Sequence, residues 1–464
     1  MARTIIEGAN HRVQLLNAAA FRGDGKYVLY WAQVNRRAGW NHALSHAVDL
    51  ANRAGLPVLF YEGLTYDYPY ASDRLHTFIL EGVVETERAL QRLGIGYLFY
   101  LRRTRHDPND IVYRVAKDAA ALVTDDYPIF PARRYNASVP LKLDVPYYAV
   151  DASCIVPMAC FSKREYAAYT IRPKIRKLLP HYLRPVPSMR VRHKFHGKIP
   201  SFHTPVASSD IPALVASCDI DHTVSPAPGF PGGWSAAQRR LRRFLKRSLH
   251  RYANASNQPS ENASSGLSPY LHFGHISSLQ VALAVQDFAR EHKLIPDEFL
   301  EELIVRRELA FNFARFTERP ESLDALPDWA RKTLARHQRD RRDPIYSREQ
   351  FEKAQTCDPL WNAAQNELLR AGKIHGYYRM YWGKKIIEWS RTPEDALACI
   401  LYLNDRYALD GRDPNSYTNI LWCFGLHDRP WVERPVFGQV RYMSYEGMRR
   451  KTDVDAYTRS IEYL

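Results

Sequence analysis

His375-Gly376-Tyr377-Tyr378-Arg379-Met380-Tyr381-Trp382-Gly383-Lys384-Lys385-Ile386-Ile387-Glu388-Trp389 is the stretch on which the reading of this 464-residue chain turns. Positions 375, 378, 379, 382, 386 and 389 fall at i, i+3, i+4, i+7, i+11 and i+14, which is one face of an α-helix. That face carries a histidine, a tyrosine, an arginine, an isoleucine and two tryptophans. Large aromatics are ordinary core filler, but an arginine among them needs a partner once buried. The following segment, Leu403 to Asn415 (LNDRYALDGRDPN), offers several carboxylates. The pattern therefore predicts a site as well as a core.

Helical periodicity continues on both sides, near 327–340, 347–356, 361–371 and 394–404, and makes the second half of the chain mostly α. Upstream, Phe299 to Phe313 (FLEELIVRRELAFNF) reads as one helix with Glu302 and Arg306 at i,i+4. Such a pair is worth about 0.2–0.5 kcal/mol when exposed. In Gly266 to Ser277 (GLSPYLHFGHIS), Ser268 is placed to cap a helix whose first residue is Pro269. A helix start of this kind offers free N–H groups and hydroxyls to an anion such as a diphosphate. Between Gln238 and Tyr252, Leu241, Phe244, Leu245, Ser248 and Leu249 form an apolar stripe, with six arginines and lysines between 239 and 247. The pattern is an amphipathic helix whose cationic face is either simply solvated or in contact with nucleic-acid phosphate.

The first third reads differently. Val28–Trp31, Val58–Tyr61, Tyr97–Tyr100, Ala121–Thr124 and Tyr147–Val150 are short apolar runs separated by helix-length segments, notably 40–53, 75–93 and 111–120. Strands alternating with helices imply a parallel five-stranded sheet covered on both faces. Such a sheet tends to bind ligands beyond the carboxyl ends of its strands, although a GxGxxG fingerprint is missing here. Nine prolines between 180 and 231 mark an irregular connection. The expected partition is a terminal extension at 1–24, an α/β domain at 25–160, a linker at 161–235 and a helical domain at 236–464.

A formal charge of +15 favours an anionic partner, nucleic acid foremost. Cys154, Cys160, Cys218, Cys357 and Cys423 form no CxxC pair, so neither a metal site nor a disulfide framework is expected. With no run of 18 apolar residues and no signal-peptide core in Met1–Glu7, no membrane association is expected. The expected setting is the cytoplasm, with nucleoid association if the source is prokaryotic.

SGLSPYLHFGHIS, EELIVRRELAFNF, HGYYRMYWGKKIIEW, LNDRYALDGRDPNSYTNILWCFGLHDRPW and VFGQVRYMS, in this order, resemble the class II cyclobutane pyrimidine dimer photolyases. VLYWAQVNRRAGWNHAL extends the likeness into the first third. The resemblance implies the photolyase/cryptochrome fold: an α/β antenna domain and an all-helical domain holding FAD. It implies repair of UV-damaged DNA by light-driven electron transfer from reduced FAD to the dimer, by a monomer. An antenna chromophore of the deazaflavin or folate type accompanies FAD in some members.

By the same resemblance, Ser265, Gly266, Leu267 and Ser268 correspond to the FAD diphosphate segment and Tyr252 to a further cofactor contact. Arg379 and Asp410 correspond to the ion pair beside the isoalloxazine, and Asn404 to the polar residue facing its N5. Glu302 matches the carboxyl that hydrogen-bonds the damaged bases, with Arg306 on the same helix. Trp422 matches the lesion wall and Arg441 a DNA-side arginine. Trp361, Trp382 and Trp389 match the photoreduction tryptophans, in an order the sequence does not give. Two departures stand out: Phe311 where the family has an acidic residue, and the run Asn415-Ser416-Tyr417-Thr418-Asn419 where a glycine is usual. The rival expectations are a cryptochrome-like photoreceptor without repair activity and a nucleic-acid-binding protein without enzymatic activity.

Overall fold

The computed structural model describes residues 11–463. Six strands form one sheet in the order β1-β6-β5-β2-β3-β4. Five of them, β2 (Tyr27–Ala32), β3 (Val58–Thr65), β4 (Gly96–Arg102), β5 (Ala119–Asp125) and β6 (Tyr147–Val150), are the expected apolar runs. They pair in parallel, and all of β2 and β5 is buried, as a sheet covered on both faces requires. The five-stranded expectation falls short by β1 (Val13–Leu15), which comes from the supposed terminal extension and runs antiparallel to β6. Three residues beginning with a half-polar VQL give too short an apolar run to announce a strand.

Crossover helices His42–Ala54 and Asp73–Leu93 lie where expected, and Asn41 caps the first by accepting from Ala43 and Leu44 N–H. The third, Ile111–Ala116, is shorter than its predicted span because Ala119 already belongs to β5. Within 161–235 the chain is irregular from 183 to 210, in keeping with its prolines. Its beginning, however, is the helix Ala168–Tyr182, which tolerates Pro173 and Pro180 in its length. A short helix, Ile211–Ala216, follows.

The remaining chain is helical. Leu241, Phe244 and Leu245 bury the inner face of helix Trp234–Arg247 as the stripe predicts. Asp297–Arg315 is one helical run with a π-helical turn at Glu301–Arg306. The largest apolar cluster joins one face of the sheet to the helices up to Leu309, a second holds the aromatic helices from Phe313 on, and a third packs the other face of the sheet. Arg74 ties the first two, donating to the carbonyls of Leu368, Leu369 and Tyr407 at the ends of two helices. Phe311 is fully buried against Tyr127, with Arg307 over its ring at 4.4 Å, so the departure at this position is absorbed as packing between the two halves. The sixth cysteine, Cys399, is buried, and all six thiols are free. No described helix is long and apolar enough to cross a membrane.

Candidate active site

Helix Gly376–Trp389 opens after His375, whose Nδ1 accepts from Tyr377 N–H, and its aromatic face is buried: Tyr378, Trp382, Ile386 and Trp389 are at most 5% exposed. Arg379 finds the partner its burial demands. Its Nη2 donates to Asp410 Oδ1 at 2.9 Å. Asp410 Oδ2 accepts from Ser268 Oγ at 2.6 Å and faces Lys373 Nζ at 3.5 Å. Lys373 also donates to Ser268 Oγ at 2.5 Å. Ser268 is thus not the side-chain cap of its helix. It is the first residue of Ser268–His272, and its hydroxyl is spent on Asp410 because a buried carboxylate flanked by two cations is the stronger acceptor.

Charge in this cluster does not cancel. Burial alone would raise the Asp410 carboxyl, but Arg379 and Lys373 together hold it well below the usual range. Burial lowers Lys373, while Asp410 pulls it back up. Glu367, the other carboxyl nearby, is pushed toward its neutral form by burial and binds the Tyr457 hydroxyl at 2.5 Å. Two cationic side chains, Arg379 and Lys373, thus converge on the one carboxylate of Asp410. Arg379 Nε and His375 Nε2 are buried without a hydrogen-bond partner among the described residues. A site with surplus positive charge and two unspent nitrogens suits an anionic group.

Asn404 joins the cluster at one remove: its Nδ2 donates to Asp405 and to Ser416 Oγ, and Ser416 Oγ donates to the Asp410 carbonyl. Gly266 has φ +64, and a Cβ there would stand 2.5 Å from Arg240 Nη1, so only glycine allows the arginine to close on the turn. Leu267 is buried behind it and Ser265 Oγ accepts from Leu267 N–H. Tyr252 packs edge-on to Phe244 and Phe299, and its hydroxyl is raised by burial and then by the nearby charge of Glu302.

Glu302 is not paired with Arg306 as i,i+4 spacing suggested. In the π turn the residue one turn on is i+5, and Arg306 Nε lies 3.8 Å from Glu301 instead. Glu301 also takes a two-nitrogen grip from Arg172. Glu302 is left exposed, yet the surrounding protein raises its carboxyl, with Arg306 pulling it down. Arg306 lies over the Trp422 ring at 5.4 Å, and Arg441 over the exposed ring of Trp431 at 5.3 Å. The three tryptophans come together in the order 382, 361, 389. Trp382 and Trp361 are stacked at 6.3 Å and 6°, and Trp361 meets Trp389 at 6.4 Å and 69°. Trp361 Nε1 donates to the Trp382 carbonyl and Trp382 Nε1 to Gln365.

Sequence reasoning missed Lys373, Ser416, Arg240 and Trp431. Trp431 and Ser416 lie within the quoted LNDRYALDGRDPNSYTNILWCFGLHDRPW motif and Arg240 within the cationic 239–247 face, whereas Lys373 stands outside every motif. Lys373 meets Ser268 and Asp410 only through the fold, whereas Ser416 finds Asn404 and Asp410 nearby in the chain. Among the described residues no group of His, Cys, Asp and Glu could hold a metal ion. A cavity of about 420 Å³ on the α/β part, lined by Arg12, His42, His46 and Arg190 among others, shares no lining residue with the Asp410 cluster.

The DNA photolyase family model matches residues 28–190. The chain is 40% identical over 454 residues to a deoxyribodipyrimidine photo-lyase of Methanothermobacter thermautotrophicus, covering 98% of each chain. It is 39% identical to one of Arabidopsis thaliana, covering 94% of this chain and 89% of that one. In fold it resembles the cryptochrome of Synechocystis sp. PCC6803, with TM-score 0.72 at 16% identity, over 93% of this chain and 88% of that one. With identity of this order sustained over nearly its whole length, the chain belongs to the DNA photolyase family.

Proposed function

We infer that the chain is a deoxyribodipyrimidine photo-lyase, which splits cyclobutane pyrimidine dimers in DNA under light with FAD as its resident cofactor. The observation that carries the reading is the buried cation surplus at Arg379, Lys373 and Asp410, one helix turn from a tryptophan ladder, in a chain related end to end to enzymes of that name. When bound and reduced, FAD supplies the light-driven electron that opens the cyclobutane ring and recovers it afterwards.

Arg379 and Lys373 stabilise negative charge on the flavin, and Asp410 holds both in place. Asn404, its Nδ2 already spent, keeps its carbonyl oxygen free and would offer it as an acceptor to the bound flavin. Ser265, Gly266, Leu267 and Ser268 offer backbone and hydroxyl donors to the diphosphate, with Arg240 closing over the turn and Tyr252 beside them. Glu302, in its protonated form, donates a hydrogen bond to a pyrimidine carbonyl of the dimer. Arg306 fixes Trp422 as the wall against which the extruded bases rest, and Arg441 with Trp431 meets the DNA outside the cleft. Trp382, Trp361 and Trp389, in ring contact with one another, would offer an electron path toward the cofactor site. A light-gathering pigment of the deazaflavin or folate type is assigned to the α/β part on the family resemblance alone.

The test is to purify the holoprotein, photoreduce it and illuminate it with a dimer-bearing oligonucleotide. Light-dependent loss of dimers is the expected result. Flavin absorption with dimers intact would favour a photoreceptor, and absence of flavin would sink both readings.

A further inference from the structure

Helix Ala168–Tyr182 and the turn before it touch the site on two sides, yet beyond Arg172 they have no part in the reading above. The Tyr166 hydroxyl donates to the Asp428 carbonyl at 3.1 Å, and the Tyr166 carbonyl lies 2.5 Å from His427 Nδ1. The His427 ring meets Trp422 at 6.0 Å. On the other side Arg172 grips Glu301, the neighbour of Glu302. While Ala168, Ile171 and Ile175 are buried, Tyr169, Pro173, Arg176 and Lys177 are exposed at i, i+4, i+7 and i+8, a single outward stripe. Tyr169 is 64% exposed and Tyr166 45%, their rings 6.3 Å apart.

Charge on this segment is one-sided. Between Lys163 and Lys177 stand six arginines and lysines against one glutamate. Glu165 is taken by Lys174, and Arg172 is spent on Glu301. Lys163, Arg176 and Lys177 are exposed and have no ion pair among the described residues. Large apolar rings left in water beside unneutralised cations are the two components of a single-strand binding surface: faces on which bases stack and charges that track phosphates.

We propose that this outer face is a platform for the DNA strand that continues from the dimer. Tyr169, with Tyr166 beside it, carries a base unstacked when the dimer leaves the duplex, and Lys163, Arg176 and Lys177 hold the adjoining phosphates. The proposal rests on the repair reading, because it is the extruded dimer that frees the neighbouring base. Continuity with Trp422 through His427 and Tyr166 places the platform beside the lesion wall.

The experiment measures affinity of the holoprotein for dimer-bearing and undamaged oligonucleotides as a function of salt. Tyr169→Ala should weaken binding to dimer-bearing DNA about tenfold, in line with the loss of one base–aromatic stack. Tyr169→Phe, which keeps the ring, should bind like the wild type. The double variant Arg176→Gln, Lys177→Gln should flatten the dependence of log affinity on log salt by about 1.4–1.8. Repair at saturating DNA should be unchanged in all three, since none touches the cleft. Wild-type affinity in Tyr169→Ala, or an unchanged salt slope in the double variant, would overturn the proposal. Wild-type protein that does not prefer dimer-bearing DNA would sink the repair reading and the platform with it, a result distinct from a failure of the variants alone.

Discussion

The carboxyl ends of the sheet and the buried centre of the helical half treat their polar groups in opposite ways. At the switch between β2 and β5, where a parallel sheet would receive a ligand, Asp125 fills the crevice from within. Its Oδ2 accepts from the N–H groups of Gln33, Val34 and Asn35, and its Oδ1 from the Tyr30 hydroxyl and Asn35 Nδ2. Arg37 spends its guanidinium on Asn35, Trp40, Ala152 and Gly274. In the helical half, one carboxylate serves two cations, and Arg379 Nε and His375 Nε2 stay unpartnered. Two buried networks thus differ in one respect: in the first the carboxylate is surrounded by donors of its own chain, and in the second two nitrogens keep a free bonding capacity. Sheet topology alone would direct attention to the first.

Removing each network's carboxylate should separate the two most strongly. Asp410→Ala leaves Arg379 and Lys373 buried without a counter-charge, which costs about 3–5 kcal/mol. The expected outcome is a lower unfolding temperature together with loss of flavin on purification. Asp125→Asn should cost less, about 1.5–3 kcal/mol, because it weakens charge-assisted hydrogen bonds while Arg37, the cation nearby, keeps its bonds to Asn35 and to the Trp40, Ala152 and Gly274 carbonyls. Its flavin content should match the wild type. Equal flavin loss in both variants would erase the distinction.

A third substitution tests the aromatic half alone. Trp361 is the middle ring, touching both Trp382 and Trp389. Trp361→Phe should stop photoreduction of oxidised flavin while leaving repair by chemically reduced protein intact, read by absorption during illumination and by dimer counts. The smallest effect is expected at Glu302. Its raised carboxyl is protonated below its folded pKa and loses its donor as pH rises through that value, so dimer affinity should fall with rising pH. Glu302→Gln keeps a donor at every pH, and its profile should be flat. A wild-type profile as flat as that of the variant would remove the proton-donor role.

How far the sequence reaches can be judged residue by residue. The five apolar runs became strands because burial on both faces leaves an uninterrupted local signal, whereas β1 is three residues long and owes its place to pairing with β6. Arg379 and Asp410 were legible as a pair because a buried arginine demands an acid and the motif resemblance named one. The Glu302–Arg306 pair was misread because a single inserted residue widens the turn, a feature without a compositional mark. Lys373 lay outside the motif face, and its role emerges only when residues 268, 373 and 410 meet.

Flavin content bears most directly on the central claim, that the cation-rich helical cluster is the seat of the cofactor. The measurement is the visible absorption of purified wild type, Asp125→Asn and Asp410→Ala at equal protein concentration, each checked as folded by circular dichroism. The account predicts flavin bands of equal height in the first two and their loss in the third. A folded Asp410→Ala protein that keeps its full flavin would contradict it.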